Sequence, residues 1–205
     1  MKEFNTIEKQ ETSELVEKKS KFIANIFYVS TIEEAESKLE QVRKKYHDAR
    51  HNCYAYRVLN GENVIDRSSD DGEPSGTAGA PMLNILKKEN LCNVLVVVTR
   101  YFGGILLGTG GLVRAYSQST QDVIEKSNII VKKEGYIAKI EVEYKELEKL
   151  KYFCKKKEIS IINVDYLENV IVELEFKKEE KEIFENKEKL NFDYLNYKII
   201  QEKFI

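Results

Sequence analysis

Apolar and polar positions recur along this chain in runs that set out most of its elements. Residues 14–29 (ELVEKKSKFIANIFYV) hold two short runs around a polar Lys-Lys-Ser-Lys break and read as two strands. Thr31 then opens a helix. Thr31 and Glu34 form a T-x-x-E capping box, and Ala35, Leu39, Val42 and Tyr46 follow at helical spacing, ending near His47. Residues 52–59 (NCYAYRVL) alternate as a strand, Asn60-Gly61 is a strong hairpin signal, and residues 63–67 return. After a loop over 70–80, Pro81 suits the first turn of a helix whose apolar face is Met82, Leu83, Ile85 and Leu86. The run Leu95-Val96-Val97-Val98-Thr99 is apolar without a break and reads as a buried strand. A loop over 102–111 leads into a helix over 112–127.

The pattern changes after Gly135. No glycine or proline follows, and all six arginines (43, 50, 57, 67, 100 and 114) precede it. The tail predicts a strand over 136–144, a helix over 145–157, strands over 159–166 and 170–176, a helix over 178–190 and a strand over 194–200. That is the β-α-β-β-α-β order of a ferredoxin-like domain. The chain therefore reads as α+β with two domains, residues 1–132 and 133–205, without internal repeats or a low-complexity linker.

Composition narrows the class. The 205 residues are 42% apolar, enough for a core, and 33% charged, with a formal net charge of −2. Nothing global advertises nucleic acid. Cys53, Cys92 and Cys154 are widely spaced and odd in number, which fits a reducing compartment. The N-terminus lacks the apolar core of a signal peptide, and no run approaches the ~20 residues of a membrane span. The expectation is a cytoplasmic protein with no membrane partner.

Eight of the ten glycines and both prolines lie between Asp70 and Tyr116. Glycine at this density specifies backbone shape. Gly103, Gly104, Gly108, Gly110 and Gly111 follow a strand and open a helix. Two readings stand: a tight turn with close helix–strand packing, or an anion held near Gly111 by free N–H groups. The phosphate-loop and dinucleotide fingerprints are both missing. Arg100 and Arg114 bracket this loop, and arginine forks onto carboxylate or phosphate. Either one could instead pair internally with Asp70, Asp71 or Glu73. Those three carboxylates suit acid–base work or Mg²⁺, but Asp71-Gly72 and Pro74-Ser75-Gly76 are also plain turn chemistry. Ser75 and Thr77 are minor nucleophile candidates outside any G-x-S-x-G context. His47, His51 and Cys53 have metal-ligand chemistry without a second ligand pair. Lys155-Lys156-Lys157 suits a helix C-terminus, or less readily a phosphate patch. No metal or cofactor is expected.

Three stretches together resemble the YigZ/IMPACT family: His51-Asn-Cys-Tyr-Ala-Tyr, Asp70-Asp-Gly-Glu-Pro-Ser-Gly-Thr-Ala-Gly, and Arg100-Tyr-Phe-Gly-Gly-Ile-Leu-Leu-Gly-Thr-Gly-Gly-Leu-Val-Arg-Ala-Tyr. The resemblance covers roughly residues 13–127, and the tail resembles the smaller second domain of the bacterial branch. It implies an Impact-type first domain similar to domain IV of elongation factor G, with a ribosomal-protein-like fold also used by some small-molecule kinases. The second domain would be similar to domain V of that factor. Eukaryotic relatives regulate translation by competing for an activator of a starvation-sensing kinase, partly through a domain this chain lacks. The expected role is a non-enzymatic, translation-associated regulator that binds RNA, the ribosome or a translation factor, as a monomer or weak oligomer. The expected surface comprises His51, Asp70, Asp71, Glu73, Ser75, Thr77, Arg100, Tyr101, Arg114 and the loop glycines. The alternatives are an enzyme or binding protein for a phosphorylated or nucleotide-like small molecule, and a protein–protein adaptor.

Overall fold

The computed structural model describes residues 3–61, 63–186 and 189–205. The chain forms two compact units, residues 3–131 and 132–205. Among the described residues no helix is long and apolar enough to cross a membrane.

The first unit is built on an antiparallel sheet in the order β2-β3-β6-β4-β5. These strands are β2 (Glu11–Glu17), β3 (Ser20–Tyr28), β4 (His51–Asn60), β5 (Asn63–Ser69) and β6 (Val94–Tyr101). A short β1 (Glu3–Ile7) precedes them. Helix α1 (Ile32–Lys45) covers one face; α2 (Gly79–Lys88) and α3 (Thr109–Lys126) cover the other. This explains the unbroken apolar run of β6. Val94, Val96 and Val98 face α2 and α3 together with Phe22, Ala24, Cys53 and Ala55. Leu95 and Val97 face α1 with Val29, Tyr56 and Val58. A central strand covered on both sides has no solvent face to mark with polar residues.

Local rules set the helix ends. Thr31 Oγ1 accepts from the Glu34 N–H at 3.1 Å. The Glu34 carboxylate reaches one residue past the cap, accepting from the Ser30 N–H at 2.6 Å and its hydroxyl at 2.9 Å. Helix α3 begins at Thr109, earlier than its pattern predicts, so Gly110 and Gly111 lie in its first turn rather than in the loop. Glycine weakens a helix interior, but first-turn N–H groups lack intrahelical partners in any case. The cap, Gly108, has φ +72°, which turns the chain sharply into the helix.

The second unit runs β7 (Ile129–Val142, entering from the first unit), α4 (Tyr144–Lys157), β8 (Ser160–Tyr166), β9 (Val170–Lys177), α5 (Lys181–Glu185) and β10 (Asn196–Phe204). Its strands lie antiparallel in the order β10-β7-β9-β8, the ferredoxin-like arrangement. Tyr136, Ala138, Ile140, Val170, Val172 and Leu174 face Leu147, Leu150 and Phe153 of α4. The helix predicted over 178–190 is instead a 3₁₀ turn (Lys178–Glu180) followed by the five-residue α5. Only Ile183, Phe184 and Leu190 are apolar there, too few for a longer buried stripe, and residues 187–188 lie outside the described ones. Phe184 is fully buried against Phe153, Phe176 and Tyr197. Phe184→Ala should therefore cost about 3–5 kcal/mol, read as a lower urea midpoint for loss of second-unit tertiary signals by NMR.

Candidate functional site

The site forms where β6 ends and three loops meet. Arg100 lies on the α2/α3 face of β6, in register with Phe22 on β3 and His51 on β4. Its guanidinium lies over the rings of Phe22 and Phe102, at 5.5 and 5.6 Å from their centroids. Arg100 Nη1 donates to Glu73 Oε1 at 2.7 Å, with both side chains buried. The same oxygen accepts from the Tyr116 hydroxyl at 2.8 Å. Arg100 Nη2 lies 3.5 Å from Ser20 Oγ, and that hydroxyl accepts from the Gly103 N–H at 3.2 Å. One arginine thus links the 70–78 loop, the β2–β3 turn and the glycine loop. Of the internal pairings open to Arg100, the structure selects Glu73.

Asp70 serves α2. No side chain of the α2 cap residue, Ala78, is available for the task. Asp70 Oδ1 accepts from the N–H groups of Ala78 and Gly79 at 2.9 and 2.8 Å, and Oδ2 from Gly76 at 2.8 Å. Burial pushes its pKa up, but these three donors outweigh burial and hold it below the ordinary value. Asp71 ties the loop to β4 instead, accepting from the Asn52 N–H at 2.7 Å and facing Arg43 at 3.4 Å. Its carbonyl bonds to His51 Nδ1 at 2.9 Å. Thr77 donates to the Pro74 carbonyl at 2.6 Å, and Ser75 is exposed. Burial pushes the Cys53 thiol up to about 12, so it is not a ready nucleophile. It lies 2.9 Å from the Asp70 carbonyl and 3.3 Å from the Tyr116 hydroxyl. Tyr101 donates to Asp48 at 2.7 Å, a bond that pushes its pKa up to about 12.

These positions bear on the two readings of the acidic residues, acid–base or Mg²⁺ chemistry and turn chemistry. Asp70, Asp71 and Glu73 do not converge on one point; each is committed to a different loop contact. Arg100 and Glu73 are core groups, not surface contacts. His47 is exposed, His51 is bound to the 70–78 loop and Cys53 is buried, so the three do not meet. Among the described residues no three His, Cys, Asp or Glu side chains are grouped to hold a metal.

The exposed chemistry lies one layer out. Arg114 is exposed, and its Nη1 is 3.6 Å from where a Cβ on Gly110 would sit. The guanidinium therefore lies back over the α3 N-terminus. No side chain caps that end, and no acidic residue occupies its first turn. Beside it, Lys18 and Lys19 form the two-residue β2–β3 turn with φ +46° and +64°. A Cβ on Gly103 would stand 2.0 Å from the Lys19 carbonyl carbon, so only glycine lets the loop close on this turn. Among the described residues Lys18, Lys19 and Arg114 have no ion-pair partner. The two lysines escape the sequence reading, which treats them as a polar break. Their signal is indirect: a two-residue turn of this kind favours Asn-Gly, and lysine there is costly. Between this turn and α3 lies a cleft of about 430 Å³ lined by Leu15, Glu17, Lys18, Leu107, Val113 and Arg114 among others.

A family model described as the Impact N-terminal domain matches residues 18–124, and a domain of unknown function (DUF1949) matches residues 140–187. The chain is 40% identical over 177 residues to the IMPACT family member YvyE of Bacillus subtilis, covering 86% of this chain and 80% of the relative. It is 37% identical over 150 residues to the IMPACT family member YigZ of Escherichia coli, covering 73% and 74%. A crystal structure described as that of a hypothetical protein matches with a TM-score of 0.65 at 30% identity, covering 99% of this chain and all of that one.

Two stability tests follow. Arg100→Met or Glu73→Leu alone strands a buried charge and should cost about 3–5 kcal/mol, whereas the double variant should cost far less than the sum; urea unfolding of the four proteins measures the coupling. Asp70→Ala should cost about 1–2 kcal/mol. The folded pKa of Asp70 lies below its ordinary value of 3.8, so that contribution is complete above pH 3.8. It fades as pH falls through the lowered folded pKa, and the gap between wild type and Asp70→Ala in an acid titration should close there.

Proposed function

The chain belongs to the IMPACT family, and from that premise we propose a cytoplasmic, translation-associated regulator that binds RNA or the ribosome through Lys18, Lys19, Arg114 and the α3 N-terminus. The observation that carries this reading is the trio of unpaired cations on a frame anchored by Arg100. Elsewhere arginine is mostly committed: Arg43, Arg57, Arg67 and Arg100 each face a carboxylate. Two adjacent lysines at positive φ cost on the order of 1 kcal/mol each. A sequence free to choose Asn-Gly retains that strain where charge is useful. The net charge of −2 weighs against broad nonspecific binding, so the contact is local. Three phosphate contacts correspond to a log–log salt slope of about −2 to −3.

The second unit supports a division of labour. On its open sheet face Lys139 pairs with Glu173 at 3.0 Å and Lys203 with Glu175. β7 and β9 present Ile137, Lys139, Glu141, Ile171, Glu173 and Glu175 there, with no aromatic platform for bases. A second reading rests on the 430 Å³ cleft, which falls in the range of ligand sites, ~300–1,000 Å³. It would take a phosphorylated small molecule with its phosphate on Arg114.

The test separates folding from binding. Lys18→Asn/Lys19→Gly suits the turn better and should melt at or above the wild-type temperature. It should nevertheless pellet less with ribosomes, as should Arg114→Ala. Wild-type protein absent from ribosome pellets at every salt concentration would defeat the first reading. Stabilisation by a nucleotide or phosphometabolite, lost in Arg114→Ala, would then favour the second.

A further inference from the structure

The cleft beside α3 runs along a free strand edge. β2 ends the first sheet, and among the described residues it pairs with β3 alone. Lys18 and Lys19 form a two-residue turn, so Glu17 and Ser20 exchange the first hydrogen bonds of the ladder, followed by Leu15 with Phe22 and Ser13 with Ala24. The backbone N–H and C=O groups of Thr12, Glu14 and Val16 therefore point away from β3. The Thr12 carbonyl shows where they lead: it accepts from Lys126 Nζ of α3 at 2.7 Å. Those of Glu14 and Val16 have no backbone partner among the described residues. No proline or lysine within β2 guards this edge, and Val16 on it is 60% exposed. Across the cleft, α3 lines it from Gly111 to Gln121, about 15 Å of helix. An extended chain covers that length in about five residues. Leu15, Leu107 and Val113 give the lining its apolar part.

Charge along the cleft is uneven. Lys18 and Arg114 line the end where α3 begins, and neither has an ion-pair partner among the described residues. Glu17 lies in the same lining, so two cations face one carboxylate there. Further along β2 stand Glu14, held by Lys21 at 2.6 Å, and Glu11. An acidic segment laid along the strand would meet these glutamates, and a second copy paired through β2 would set its own against them. A negative charge is favoured only at the Lys18–Arg114 end.

We propose that this cleft binds the C-terminal end of an extended partner peptide, which adds a strand to β2. Its backbone pairs with the free N–H and C=O groups of Glu14 and Val16. An apolar side chain meets Leu15, Leu107 and Val113, and the terminal carboxylate lies at Lys18 and Arg114. β2 runs toward that end, so the added strand is parallel to it. A phosphorylated small molecule would use the cations and leave the strand edge unpaired; a peptide terminus uses both. Such a contact goes beyond the RNA binding proposed above and does not rest on it.

The test sets the full chain against a phage library displaying random short peptides with free C-termini. Peptides enriched on the wild type over Val16→Pro are then made as the free acid and as the C-terminal amide. Val16→Pro removes an outward N–H at an edge, so the fold and its melting temperature should stay. The expected result is saturable binding with slowed exchange of the Glu14 and Val16 amide protons. Affinity should fall about tenfold or more with the amide, in Arg114→Ala and in Val16→Pro. No peptide enriched over Val16→Pro, equal binding of acid and amide, or unchanged exchange at Glu14 and Val16 overturns the proposal. A wild-type dimer that Val16→Pro disperses also overturns it, because a second copy then holds the edge. If Val16→Pro does not fold, Val113→Gln replaces it, placing an amide in the apolar lining. Both substitutions leave Lys18, Lys19 and Arg114 in place and should not change pelleting with ribosomes, so peptide binding and ribosome binding succeed or fail separately.

Discussion

Arg100 enters the core at the end of β6, and each loop around the site leads back to its guanidinium. Through Glu73 it fixes the 70–78 loop; through Ser20 it fixes the β2–β3 turn and, one hydrogen bond further, Gly103. Burying two charges costs heavily in desolvation, and good geometry recovers that cost without a large surplus. The pair is therefore better understood as a constraint on shape than as a source of stability. Tyr116 on α3 bonds to the same carboxylate oxygen, so the helix that carries Arg114 is referenced to the same point. Phe22 and Phe102 add cation–π contacts to the guanidinium at 5.5 and 5.6 Å.

Because the frame is fixed internally, the surface can carry features that would otherwise relax. Lys18 and Lys19 hold positive φ because both strands of their hairpin are anchored and Gly103 presses against the turn. The α3 N-terminus stays without a side-chain cap because Gly108 turns the chain without supplying one. Preorganised donors and cations lose less conformational freedom when a partner arrives than flexible ones do. A small number of contacts can then matter on a chain whose overall charge is slightly negative.

The alternation of β4, the Asn60-Gly61 hairpin, the α1 cap and the ferredoxin-like order of the tail could all be read directly, because each depends on near neighbours in sequence. The candidate site was only partly legible. That Arg100 would take Glu73 depends on strand register and on a loop folding over β6, neither of which periodicity reports. Asp70 caps a helix eight residues away, beyond the span of any capping-box pattern. Arginine scarcity was an uneven guide: Arg43, Arg57, Arg67 and Arg100 hold carboxylates, whereas Arg114 does not. Lys18 and Lys19 carried no motif at all; their positions emerge only from the turn geometry and from the glycine packed on it.

The two units also spend charge differently, and this bears on which of them meets a partner. In the second, Lys139, Lys149, Lys178 and Lys203 all face glutamates. Exposed pairs of this kind add little stability, but they cancel the local field and leave less to attract a phosphate. In the first unit the arginines near the sheet are also cancelled, yet the cations at the β2–β3 turn and the α3 start are not. Cations left unpaired on a fixed turn draw an anionic partner to that place, and the exposed Lys155-Lys156-Lys157 run at the end of α4 is a second group of lysines without an ion-pair partner among the described residues. The glycine loop exposes Leu106 at 83%, next to Ile105 and Phe102. A phosphate-only contact has no use for an aliphatic tip, so the ribosomal contact proposed above would place phosphate beside an apolar protein surface.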